Sequence, residues 1–150
     1  MQSYKNLNMS RTNITSKKGI VPLPPATFYM QFTDPRNIVA MLPEDKRAGV
    51  EADFDTATFE VQGMKIGIKV SERVPYSRIV YSENGAPFVF DLTLNFGATP
   101  DPYKTEFFIE VEAEIPLMIK PFIVGKLKDG LDAIVESLAT GKMPDMSQFK

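Results

Sequence analysis

The sequence predicts an α+β protein in which a long C-terminal helix packs against an antiparallel β-sheet. Two patterns lead to this prediction. Apolar and polar residues alternate with period 2 through the middle of the chain, as in strands that have one buried face. From Leu117 onward, apolar residues recur every three or four positions, as in an amphipathic helix. Short turn sequences separate the alternating segments, so consecutive strands should pair as hairpins.

Six or seven strands are expected in the sheet. Alternation is clearest at 64–70, 88–96 and 107–115. In the segment 107–115, the glutamates face away from Ile109 and Val111. Weaker strands are predicted at 9–18, 48–54, 56–62 and 77–83. The turns between strands are predicted at Gln62-Gly63, Val74-Pro75-Tyr76-Ser77, Asn84-Gly85 and 97–102.

Helical segments lie on both sides of the central strands. The long helix is predicted over 117–140, because Pro116 favours a helix start and Gly141 fits the position after a helix end. Between Pro22 and Pro43, two short helices are predicted, one opened by Pro24-Pro25 and one that begins at Asp34-Pro35. The predicted element order is therefore β-α-α-β-β-β-β-β-β-α.

Length and composition limit the function. The 150 residues, at 16.8 kDa, suit a single domain with a core over about 10–140, a flexible N-terminal leader and a C-terminal tail. The chain contains no histidine, cysteine or tryptophan. Ser-His-Asp and Cys-His catalysis, His or Cys zinc sites, haem held by His or Cys, and disulfides are therefore excluded. No cofactor and no metal are expected.

The charge and the hydropathy of the chain bear on partners and location. A net charge of −2 and a pI near 5.2 argue against a nucleic-acid partner. No apolar stretch approaches the length of a transmembrane helix, so no integral membrane segment is expected. The first 25 residues lack the apolar core of a signal peptide, and a cytoplasmic location is predicted. Residues 1–18 carry four basic residues and no acid, and they are interpreted as a polar leader that runs into an edge strand, with a basic arm as the alternative.

The element order and two long stretches resemble the SRPBCC superfamily, which includes START-like and polyketide-cyclase-like proteins. The stretches are AGVEADFDTATFEVQGMKIGIKVSERVPYSRIVYSENGAPFVFDLTLNF and EIPLMIKPFIVGKLKDGLDAIVESLA. The resemblance is one of pattern, covers about residues 10–140, and is greatest to small bacterial single-domain members. It implies the helix-grip fold, a sheet curled around the C-terminal helix. It also implies an apolar cavity between sheet and helix, used in that superfamily for lipids, sterols, polyketides or plant hormones.

A cavity also follows from the residues themselves, because one helix cannot easily fill the concavity of a curled sheet. Eight methionines suit an adaptable apolar lining. No basic side chain is predicted at the inward strand positions, so the ligand should be hydrophobic. Any one of the inward residues could instead fill an ordinary core. The predicted lining residues are Tyr29, Phe32, Met41, Phe59, Ile68, Tyr81, Phe90, Leu92, Ile109, Met118 and Phe122, with Ile66, Ile79 and Val111 also inward.

Three functions of different classes remain open. The first is non-catalytic binding or transport of a hydrophobic small molecule by a monomer or homodimer. The second is a cyclase- or aromatase-like enzyme with Tyr29 or Tyr81 as proton donor. The third is a protein-interaction module similar to chaperone-ATPase activators or to an assembly factor of carbon-monoxide dehydrogenase, which would need an exposed apolar patch. The remaining acids are expected in turns (Asp53, Asp55) or on a solvated sheet face (Glu106, Glu110, Glu112, Glu114).

Overall fold

A computed structural model describes residues 9–41, 44–61, 63–86 and 88–141 of the chain. The expected leader and tail lie outside these residues, at 1–8 and 142–150, as do Pro43 and Gln62. The helices are α1 (Pro25–Phe32), α2 (Pro35–Ala40) and α3 (Lys120–Thr140), with a short 3-10 helix at Glu44–Lys46. The strands are β1 (Met9–Thr15), β2 (Gly19–Val21), β3 (Glu51–Ala52), β4 (Thr56–Val61), β5 (Met64–Val74), β6 (Arg78–Glu83), β7 (Phe90–Ala98) and β8 (Thr105–Pro116).

The eight strands of the described residues form one antiparallel sheet in the order β1-β8-β7-β6-β5-β4-β3, and β2 also pairs with β8. Strands β3 to β8 follow one another as a meander, and the first strand closes against the last. The sheet curls, and α3 packs against β1, β2 and β8 on its concave face. The predicted α+β class and helix-grip architecture are confirmed.

The sequence signals at the helix ends act as expected in three places. Pro25 and Pro35 both stand at helix starts, and the Asp34 carboxylate accepts a hydrogen bond from the backbone N–H of Arg36 at 3.0 Å. At the end of α3, Gly141 adopts a left-handed conformation with φ of 74°, which glycine accommodates without strain.

Three predicted boundaries are wrong. The helix α3 begins at Lys120 instead of 117, because β8 continues to Pro116 and 117–119 form a turn. The predicted strand 48–54 contains only the two residues of β3. The segment 9–18, predicted as a single strand, is interrupted after Thr15. There the Ser16 hydroxyl, instead of a backbone carbonyl, accepts a hydrogen bond from the backbone N–H of Ile109 at 2.8 Å. The chain then pairs with β8 again from Gly19.

The hydrophobic core fills one end of the concave face, which we call the sealed end. It lies beside the β5–β6 turn and the β7–β8 connection. Phe28 of α1 is fully buried there, with ring centroids of Phe32, Phe96 and Phe107 at 4.7, 4.9 and 5.2 Å. Aromatic pairs at these separations stabilise a core beyond the area they bury. The other end, where β7 begins and β8 passes into α3, is called the open end.

Candidate functional site: an apolar hollow beside the last helix

Burial changes along the central strands from the sealed end to the open end. On β7, Phe96 and Leu94 are buried, whereas Leu92 and Phe90 on the same face are half-buried. The inner face of an antiparallel sheet is normally packed against the core. Solvent therefore reaches the concave face near the open end, and we call this partly exposed apolar part of the concave face the hollow.

The hollow is lined by rows of side chains that run across the strands. In one row, Val70 of β5 lies opposite Tyr81 of β6, which lies opposite Leu92, and Leu92 lies opposite Val111 of β8. Next to this row, Ile68 lies opposite Glu83 and also opposite Ala57 of β4. The half-buried apolar residues of the hollow are Phe59, Ile66, Ile68, Val70, Phe90, Leu92 and Val111.

Two helices flank the hollow. The first half of α3 presents Val124 and Leu127, which are half-buried and share the helix side of Leu131. On the other flank, α2 contacts β3 and β4, and the half-buried Ile38 and Met41 pack against the core. The hollow therefore lies between the last helix and the strands that this helix leaves uncovered.

The structure distributes the predicted lining residues between the core and the hollow. Phe32 and Ile109 are buried in the core at the sealed end. Phe59, Ile68, Phe90 and Leu92 are on the concave face of the hollow, and Met41 flanks it. Their contact with a ligand stays a prediction.

The placement of Met118 and Phe122 on the inner face of the helix is wrong. Met118 is in the turn before α3 and is 86% exposed, and Phe122 is 72% exposed. Phe122 precedes Leu131 by nine residues, or about two and a half helical turns, so the two side chains point to opposite sides of α3. Phe122 therefore faces solvent.

Tyr81 and Tyr29 are not presented to the hollow as free proton donors. The Tyr81 hydroxyl is buried and donates to the backbone carbonyl of Phe32. Burial raises the pKa of Tyr81 well above its usual value, although the positive charge of Arg73 opposes this shift. Tyr29 lies toward the sealed end, where its ring meets Tyr76 edge-on at 5.7 Å. These positions do not favour a tyrosine-based enzyme.

The expectation that no basic side chain occupies an inward strand position is wrong, because Arg73 lies on the concave face. A β-bulge between Val70 and Glu72 shifts the register of β5, so Arg73 pairs with Ile79 on the concave face. The only sequence signal is that the apolar alternation of β5 stops at Val70, and this does not tell which way the arginine points.

The guanidinium of Arg73 is already occupied by protein acceptors. It donates to the hydroxyl and carbonyl of Thr33 at 2.9 and 3.1 Å, to the Asp55 carboxylate at 3.0 Å, and to the carbonyl of Phe54. It also lies 4.0 Å above the Phe54 ring. Arg73 therefore joins β5 to the end of α1 and to the β3–β4 loop, and it does not supply a free cation to the hollow.

Asp53 and Asp55, which the sequence assigns to turns, do lie in the loop between β3 and β4. The Asp53 carboxylate accepts from the backbone N–H groups of Asp55 and Thr56 at 2.8 and 2.7 Å. These hydrogen bonds lower the pKa of Asp53, because they favour its charged form.

A second concavity lies on the convex face of the sheet, with a volume of about 240 Å³. Its carboxylates already have partners: Ser82 donates to Asp91 at 2.6 Å, Asn95 donates to Glu110 at 2.7 Å, and Arg11 pairs with Glu112. It is polar and open, and we prefer the hollow as the functional site. The cleft is lined by Asn13, Val80, Asp91, Thr93, Glu110 and Glu112.

Metal sites and membrane spans are both absent from the described part of the chain. Within it, no three acidic side chains are arranged to hold a metal ion. None of its helices is both long and apolar enough to cross a bilayer.

Comparison with known proteins gives matches at the level of structure. No protein-family model matches the chain, and no curated protein matches it in sequence. Mll3558 from Rhizobium loti is 18% identical with a TM-score of 0.64, covering 89% of this chain and 98% of that one. Protein XoxI from Bacillus cereus is 12% identical with a TM-score of 0.68, covering 87% and 94%.

A plant enzyme shares the same architecture. Norcoclaurine synthase from Thalictrum flavum is 10% identical with a TM-score of 0.68, covering 88% of this chain and 86% of that one. The same enzyme in complex with dopamine and hydroxybenzaldehyde gives a TM-score of 0.66. At these identities the likenesses concern the fold alone, and they support the helix-grip architecture of this chain.

Proposed function

We propose that this protein binds a hydrophobic small molecule in the hollow between the sheet and α3, without chemical conversion of that molecule. One observation carries the proposal. Val70, Leu92 and Val111 form a row across the middle of the sheet, yet all three are half-buried. An apolar ligand that covers such side chains gains roughly 25 cal/mol for each Å² removed from water.

The polar groups of the hollow support binding over catalysis. Tyr81 and Glu83 are the polar members of the two rows that cross β5 and β6, and both already have hydrogen-bond partners. Glu83 accepts from the backbone N–H groups of Gly85 and Ala86 at 3.2 and 3.3 Å. An enzyme site needs polar groups that converge on the reacting atoms. A mainly apolar lining is typical of a ligand pocket.

The structural likeness is compatible with this proposal. Norcoclaurine synthase, which has the same fold, has been solved with dopamine and hydroxybenzaldehyde bound. The fold can therefore hold small organic molecules. The hydrophobic character proposed for the ligand of this chain comes from its own lining residues.

Titration with the neutral fluorescent dye Nile red tests the proposal, with one tryptophan placed on each side of β7. Leu92→Trp narrows the hollow, whereas Thr93→Trp adds the same side chain on the opposite, convex face. We expect saturable binding to the wild type and to Thr93→Trp, and at least about a tenfold weaker affinity for Leu92→Trp. Binding should change little with added salt, because no charge is paired.

A second variant covers the case in which Leu92→Trp does not fold. Ile68→Trp reaches the same hollow from β5, and circular dichroism reports whether each variant keeps its secondary structure. Native mass spectrometry of the purified protein, followed by extraction, would identify a ligand that is already bound. Absence of saturable dye binding, or equal affinity of folded Leu92→Trp, Ile68→Trp and Thr93→Trp, would overturn the proposal.

A further inference from the structure

Large apolar side chains are exposed together at the open end. They come from the connection between β8 and α3 and from the residues just before β7. The two segments adjoin, because the carbonyl of Val89 accepts the backbone N–H of Glu114 at 3.1 Å. We call these exposed residues the apolar rim: Phe88, Val89, Leu117, Met118, Ile119 and Phe122.

The fold does not need Met118 or Phe122 to be apolar. Met118 and Phe122 contribute almost nothing to the core, since most of their surface is exposed. The core-facing side of α3 is supplied by other residues, of which Leu131 and Val135 are buried. Adjoining apolar side chains on a protein surface generally mark a contact with another molecule.

The charges around the apolar rim indicate the chemistry of that molecule. Between Glu114 and Asp129 the chain contains three lysines and no acidic residue, although the chain as a whole carries a net charge of −2. Lys128 pairs with Asp132 at 3.0 Å. Lys126 follows Phe122 by one helical turn, and both are exposed on the same side of α3. Lys120 lies at the first position of the helix.

Exposed phenylalanine, methionine and leucine side chains beside lysines are typical of helices that lie on a membrane surface. The apolar groups enter the boundary between headgroups and acyl chains, and the lysines meet anionic headgroups. We propose that the apolar rim docks this protein onto the surface of a bilayer that contains anionic lipids.

Docking at this end would place the hollow next to the membrane. Phe90 of the hollow follows directly after Phe88 and Val89 of the rim, so an apolar ligand would move between bilayer and hollow with a short path through water. The docking proposal does not depend on the proposed function, because it can be tested without a ligand in the hollow.

Co-sedimentation with vesicles tests the docking of the full chain. The vesicles are made either of phosphatidylcholine alone or of phosphatidylcholine mixed with phosphatidylserine. The test variant is Met118→Asp with Phe122→Asp. The control is Tyr103→Asp, which adds one negative charge at a 73% exposed side chain in the β7–β8 connection at the sealed end. All three positions are exposed, so the substitutions should leave the fold intact.

We expect the wild type and Tyr103→Asp to partition onto the phosphatidylserine vesicles, with at least about a tenfold loss for the double variant. Lys120→Gln with Lys126→Gln should weaken binding to anionic vesicles, and added salt should do the same. Equal partitioning of wild type and double variant would overturn the proposal. So would a wild type that binds neither vesicle type, including one that instead forms a dimer which the double variant abolishes in analytical ultracentrifugation.

Discussion

The hydroxyl group of Tyr81 donates a hydrogen bond to the backbone carbonyl of Phe32, and this bond joins the middle of β6 to the last turn of α1. It lies at the boundary between the core and the hollow, because Phe32 packs on Phe28 while Tyr81 belongs to the row of Leu92. The bond therefore fixes the helix that seals one end of the concave face.

We expect Tyr81→Phe to lower the free energy of unfolding by about 1–2 kcal/mol. The substitution removes the hydrogen bond and leaves the carbonyl of Phe32 without that partner in a buried position. Urea unfolding followed by circular dichroism measures the change. Tyr103→Phe alters an exposed tyrosine and should unfold at the wild-type urea concentration; a similar loss in both variants would contradict the assigned role.

The burial of the Tyr81 hydroxyl predicts a pH dependence. Burial raises the pKa of Tyr81 in the folded protein above its unfolded value near 10. Between the two pKa values the folded state binds more protons than the unfolded state, so stability falls as the pH rises above about 10. Unfolding midpoints measured from neutral to alkaline pH should decrease more steeply for the wild type than for Tyr81→Phe. Identical slopes would show that Tyr81 ionises as easily in the folded state as in the unfolded one.

Arg73→Lys should destabilise the protein by about 1–3 kcal/mol, even though the positive charge is kept. A lysine ammonium cannot reach Thr33, Phe54 and Asp55 at once with the planar arrangement of donors that arginine provides. Asp55→Asn is the control: the Asp55 side chain is 68% exposed, so its ion pair should contribute at most about 1 kcal/mol. If both variants lost stability equally, the ion pair rather than the backbone contacts would be the main contribution.

The parts of the fold that depend on periodicity could be predicted from the sequence. Alternation identifies strands such as β7, and it places Leu92 on the concave face because every second residue of a strand shares a face. The side of α3 that carries Leu131 and Val135 follows from three- and four-residue spacing. Phe122 departs from this spacing by half a turn, so the sequence also contained the signal for its outward position.

Other features depend on contacts that periodicity does not contain. The bulge in β5 places Arg73 on the concave face. The hydrogen bonds of its guanidinium to Thr33 and Phe54 then set the position of the side chain. The half-burial of Leu92 on β7 depends on which strands α3 covers, since α3 packs against β1, β2 and β8. Alternation places a side chain on the inner face without showing whether a helix lies over it.

The core-facing side of α3 can be tested by truncation. Leu131→Ala should cost about 2–5 kcal/mol, because Leu131 is buried in the core and its removal leaves a cavity. Lys126→Ala changes an exposed position on the same helix and should stay within about 0.5 kcal/mol of the wild type. Thermal and urea unfolding of the two variants provide the comparison, and equal losses would mean that the assigned helix face is wrong.

Two glycines should respond in opposite ways to alanine. Gly125 lies inside α3, and a Cβ atom added there meets nothing within 4 Å, so Gly125→Ala should stabilise the protein by about 0.5–1 kcal/mol through helix propensity.

A Cβ atom at Gly19 would lie 2.5 Å from Cγ1 of Val135, where α3 packs directly on the backbone of β2. Gly19→Ala must therefore displace the Val135 side chain or move α3 away from the sheet, and should cost about 1–3 kcal/mol. Urea unfolding of the two variants should move the midpoint up for Gly125→Ala and down for Gly19→Ala. A neutral Gly19→Ala would show that α3 does not approach β2 this closely at the sealed end.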